Sequence, residues 1–121
     1  MDDYDAIKET IYHYFEGYQP KNRTRLERAF ALEIANIMGY AKNKDGHLHL
    51  WSRPMRDEIE DWLSDDESLP KLAYGKILAV HIHSDVAATA LFDCAGVFID
   101  TYQLVKLNGE RRIANKFYTD F

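Results

Sequence analysis

The sequence predicts an α+β domain in which three N-terminal helices wrap a curved antiparallel sheet of about six strands, one short hairpin included. Two observations carry this. From Tyr4 to Phe30 and again from Met55 to Leu63, apolar side chains recur at three-to-four spacing, as they do on helices. From Gly75 to Phe121 the chain instead reads as long strands joined by tight turns, with Asn108-Gly109 between two strand-like runs. Asn-Gly is a strong hairpin signal because a type I′ turn needs positive φ at both central residues.

Asp2 and Asp3 can cap the first helix, on which Tyr4, Ile7, Ile11, Tyr14, Phe15 and Tyr18 form one strongly aromatic stripe. Gly17 and Pro20 end it. Asn22 or Thr24 caps a short second helix carrying Leu26, Ala29 and Phe30, and Thr24 to Glu27 fits a capping box. Residues Ile34 to Ala41 and His47 to Trp51 flank Lys44-Asp45-Gly46, a short hairpin whose glycine takes the strained turn position. A third helix is expected from Ser52, with Pro54 in its first turn and Met55, Ile59, Trp62 and Leu63 buried. Ser64 to Ser68 reads as an acidic loop stopped by Pro70. The closing strands are expected at Leu72 to His83, Val86 to Cys94, Val97 to Leu107 and Arg111 to Phe121.

With 121 residues and no linker or repeat, residues 1–121 form one domain. The formal net charge of -5 argues against a phosphate-backbone partner, so no nucleic acid is expected. No apolar run approaches the roughly 18 residues of a membrane span, and no basic-then-apolar leader is present. The single cysteine, Cys94, excludes an internal disulfide and suits a reducing compartment, so a cytoplasmic protein is expected.

Period-two alternation sorts each strand into faces. Val80 and Ile82 should face the helices, with His81 and His83 outward; Leu48 and Leu50 make the better core face of their strand, with His47 and His49 outward. Phe98, Asp100, Tyr102 and Leu104 share one face, and Ile99, Thr101, Gln103, Val105 and Leu107 the other. Beyond the turn, Ile113, Asn115 and Phe117 are expected to point in and Arg112, Lys116 and Tyr118 away. Both faces are half apolar, so both need cover, and a homodimer through the convex sheet face is expected.

Several of these residues also carry a family resemblance. Tyr14 to Gly17 followed by Leu26, Ala29 and Phe30, and the closing pair Phe98 to Leu104 and Asn108 to Lys116, resemble the nuclear transport factor 2-like superfamily, and within it the lumazine-binding-like and SnoaL-like (polyketide-cyclase-like) families. The resemblance implies a cone-shaped sheet enclosing a pocket, often in a dimer. It includes isomerases, dehydratases and cyclases alongside transport adaptors, so it implies no single chemistry. Arg111 departs from the pattern, standing where the family usually has Trp.

The expected function is binding of a small molecule in the cone by Tyr14, Tyr18, Asp100, Tyr102 and Asn115. The alternative is an isomerase, dehydratase or cyclase type of enzyme. There Asp100, desolvated among aromatics, moves a proton while Tyr14 or Tyr102 polarises the substrate. Against both stands plain hydrogen bonding of Asp100 and Asn115 within the hairpin, and a dimeric interaction module with a filled cone is the third alternative. The pairs His47, His49 and His81, His83 have a spacing that a divalent metal can use, but their outward placement leaves them solvated; no metal and no cofactor are expected.

Overall fold

The computed structural model describes residues 2–65, 69 and 71–120. Asp66 to Ser68 and Pro70 of the expected acidic loop, and Phe121 at the end of the last strand, lie outside the described residues. Helix α1 (Asp3–Tyr18) starts where the Asp2 carboxylate accepts from the Asp5 N–H, and α2 (Arg23–Ala29) where the Asn22 side chain accepts from the Arg25 N–H. Strands β1 (Asn36–Lys42) and β2 (Leu48–Pro54) form the short hairpin, its turn held by the Asn43 side chain and by Gly46 at φ 79°. Then come α3 (Met55–Ser64), β3 (Gly75–Ile82), β4 (Ala87–Cys94), β5 (Phe98–Leu107) and β6 (Glu110–Asp120).

The six strands form one sheet in the order β2-β1-β6-β5-β4-β3. The closing four make an antiparallel meander, and the hairpin extends it by laying β1 parallel to β6. The sheet is therefore mixed, not wholly antiparallel as the sequence suggested. Two register shifts, between Ile77 and Ala79 in β3 and opposite Gln103 and Leu104 in β6, add residues to single strands and strengthen the bend. No described helix is long and apolar enough to cross a membrane.

Ile7 and Ile11 of α1, Leu26 of α2, Met55 and Ile59 of α3, and Phe92, Leu104 and Ile113 from the sheet build the core between helices and concave sheet face. Residues 52–54 do not begin α3. They continue β2, pairing with Met38, Ile37 and Asn36, and Pro54 is tolerated because β2 is an edge strand. The faces of β2 are also opposite to expectation. Trp51 packs inward on Tyr118, so Leu48 and Leu50 look outward and remain 60% and 53% exposed.

Arg111 forms a polar clamp between β6 and α1. The guanidinium is buried, donates to both carboxylate oxygens of Asp3 at 2.8 and 2.6 Å, and reaches the Ser84 carbonyl at 3.3 Å. The Thr10 hydroxyl donates to the Arg111 carbonyl at 3.0 Å, so β6 grips α1 at its start and again near its middle.

Candidate functional site

On β5, alternation turns Phe98, Asp100, Tyr102 and Leu104 toward the helices, as expected. On β6 the expected alternation fails after Ile113. Leu104 pairs with Ile113 and Gln103 with Asn115, so Ala114 is an extra residue and the parity beyond it flips. Lys116 and Tyr118 therefore point inward. Asn115 points to the outer face, where its amide donates to Gln103 at 3.3 Å, and it is removed from the pocket assignment.

The flip creates a buried polar cluster. Asp100, 1% exposed, accepts from the Tyr102 hydroxyl at 2.7 Å, from the Cys94 thiol at 3.3 Å and from Lys116 Nζ at 3.2 Å. The Lys116 ammonium, 4% exposed as a residue, lies 5.2 Å from the Tyr14 ring centre and 5.1 Å from that of Tyr118, an aromatic box for a cation. Its other two N–H bonds have no acceptor among the described residues. Burial, reinforced by the Asp100 charge, pushes the Tyr14 and Tyr102 hydroxyls well above the ordinary phenol range, so both are neutral donors. The same two causes push the Cys94 thiol up, which makes it a poor nucleophile.

In front of this cluster, the cone holds a cavity of about 210 Å³. Tyr14 and Tyr18 of α1, Glu58 and Trp62 of α3, Leu72, and Ile37, Phe98, Lys116 and Tyr118 of the sheet line it. The rings are locked against each other: Tyr18 meets Trp62 edge-on at 4.8 Å, and Phe98 meets Tyr118 at 5.9 Å. Tyr118 is further fixed by accepting from the Trp51 indole at 2.8 Å, and it can lie across β1 because Gly39 has no side chain. A Cβ at Gly39 would stand 2.2 Å from the Tyr118 ring. A glycine within a strand is a signal of such close approach.

Tyr14 and Tyr18 thus stand at the cavity as expected, whereas Asp100 and Tyr102 lie behind Lys116 and do not line it. Sequence reasoning missed Lys116, Tyr118 and Glu58. Glu58 accepts from Arg53 at 3.3 Å through Oε1, and burial raises its carboxyl above the ordinary range. One signal was available for it: Glu58 and Trp62 are four residues apart and share a helical face. His47, His49 and His81 are exposed, and His83 Nε2 pairs with the Thr89 hydroxyl at 3.0 Å. The described residues contain no cluster of three groups able to hold a metal.

The curved six-strand sheet, the three covering helices and the cavity between them define a nuclear transport factor 2-like protein. Within that superfamily the chain belongs to the family described as "Putative lumazine-binding", whose model matches residues 2–119. An NTF2-like protein of unknown function from Shewanella baltica OS155 is 27% identical with a TM-score of 0.72, over 96% of this chain and 91% of that one. Another from Methylobacillus flagellatus KT is 24% identical with a TM-score of 0.75, over 100% and 94%. A ketosteroid isomerase-like protein from Erwinia carotovora atroseptica SCRI1043 shares the fold at 14% identity and a TM-score of 0.68, over 97% and 95%. The search of curated proteins gave no match.

Proposed function

We propose that the protein binds a small molecule in the cone. The observation that carries this reading is the aromatic-lined cavity with an ammonium at its inner wall. A core built only for stability has few voids larger than a water molecule and no need of a half-bonded buried lysine. In this reading Asp100 is the counter-ion that holds Lys116 in place, and Tyr14, Tyr18, Trp62 and Tyr118 contact the ligand. The volume lies below the roughly 300–1,000 Å³ of sites for drug-sized molecules, which suits a ligand of about two fused rings. Titration of the ¹⁵N-labelled protein with quinoline, 4-quinolone and 2-naphthoate tests the site. At least one of them is expected to shift the Trp62 indole resonance saturably, and no saturable shift with any of them overturns the reading.

We further propose that a second copy covers the outer sheet face. Met38, Tyr40, Leu91, Ile99 and Phe117 project there, beside a trough of about 550 Å³ that includes Thr101 and Gln103. Sedimentation at micromolar concentration is expected to give twice the 14.1 kDa chain mass, and Phe117→Glu to give the single chain. A wild-type species at 14.1 kDa alone would sink the proposal.

A further inference from the structure

Two polar groups of the cavity stand on different walls with bonding capacity unused. Lys116 Nζ, on the sheet wall, gives one hydrogen bond to Asp100 and has two N–H bonds left. Glu58, on the α3 wall, bonds Arg53 through Oε1, and its Oε2 accepts from none of the described residues. Between them lie ring and alkyl surface from Ile37, Trp62, Leu72 and Phe98 and the side chains of Tyr14, Tyr18 and Tyr118. The local charges are two cations, Lys116 and Arg53, and three carboxylates, Asp100, Glu58 and Asp61, the last paired with Arg53 at 2.6 Å. That balance leaves no excess positive charge to hold an anion.

We infer that the cavity takes a neutral, planar, conjugated carbonyl compound with an N–H at its far end, a vinylogous amide, its oxygen on Lys116 Nζ and its donor on Glu58. The inference rests on the cavity being a ligand site. Each group discriminates for a separate reason. A buried ammonium left with unfilled donors favours a ligand that brings an acceptor, and a carboxylate oxygen left open favours one that brings a donor. The aromatic walls accept a flat π-system edge-on or face-on. An anionic ligand would meet the Glu58 carboxylate.

The probe is 4-quinolone, a neutral two-ring compound whose carbonyl and N–H lie on opposite sides of one ring. Calorimetric titration at pH 7.5 compares it with N-methyl-4-quinolone, which lacks the donor, quinoline, which lacks the carbonyl, and 2-naphthoate, an anion. Expected is at least tenfold tighter binding of 4-quinolone than of any of the three. Lys116→Met should narrow that advantage over quinoline, and Glu58→Gln should narrow the advantage over the N-methyl compound. Glu58 faces Arg53 from β2, Tyr14 and Tyr18 from α1, and Lys116 and Tyr118 from β6, with Asp61 on its own helix. Protonating it turns an acceptor into a donor, so 4-quinolone affinity should fall on acidification in the wild type and stay flat in Glu58→Gln. Equal or tighter binding of any of the three comparison compounds overturns this inference and leaves the site standing. Absence of binding by all four overturns the site itself.

Discussion

Asp100→Asn will destabilise the domain by about 3–5 kcal/mol, the cost of leaving one partner of a buried ion pair uncompensated. The substitution keeps the shape of the side chain but leaves the Lys116 ammonium between the Tyr14 and Tyr118 rings with no counter-charge. Lys116→Met should cost less, because the Asp100 carboxylate still accepts from the Tyr102 hydroxyl and the Cys94 thiol. The double variant should be more stable than Asp100→Asn alone, since removing both charges removes the unpaired one. Urea unfolding reads this as a shift of midpoint at constant slope. A cost below about 1 kcal/mol for Asp100→Asn, as for exposed pairs, would contradict a buried pair.

What the sequence made legible follows from how locally each feature is determined. The closing hairpin depends on two residues, Asn108 and Gly109, both of which take positive φ, and its pairing of Leu107 with Glu110 follows from them. The apolar stripes of α1 and α3 needed only their spacing, and they delivered Tyr14, Tyr18 and Trp62 to the cavity. The bulge at Ala114 had no such marker. Both faces of β6 mix apolar and polar residues, so hydrophobic pattern did not fix the register, and one extra residue exchanged Asn115 for Lys116. The same weakness inverted β2, an edge strand whose leucines and tryptophan sit on opposite parities. The parallel pairing of β1 with β6 joins residues nearly eighty positions apart, beyond any local signal. Thus the fold and the helical side of the candidate cavity were readable, and the ammonium at its inner wall was not.

The clamp at Arg111 gives a second large effect with an asymmetry that identifies its cause. Asp3→Ala is expected to cost about 2–4 kcal/mol, less than the full penalty for an unpaired buried charge because the Asp3 side chain is 31% exposed and partly hydrated. It leaves a guanidinium whose own side chain is only 1% exposed and whose Nη1 already lacks a partner among the described residues. Arg111→Met should cost less than Asp3→Ala, since the methionine fills most of the volume and the partly exposed carboxylate can return to water. Urea unfolding of the two variants measures the order, and hydrogen exchange should show α1 opening more readily in Asp3→Ala. The pH dependence supplies an independent check. The Arg111 hydrogen bonds hold the Asp3 carboxyl below its ordinary 3.8, so its contribution is complete above that pH and is lost as pH falls through the lowered value. The stability gap between wild type and Asp3→Ala should therefore be constant near neutrality and close below about pH 3.8. A gap that stays constant through that range, or an Arg111→Met variant less stable than Asp3→Ala, would show that packing rather than charge holds α1 to β6.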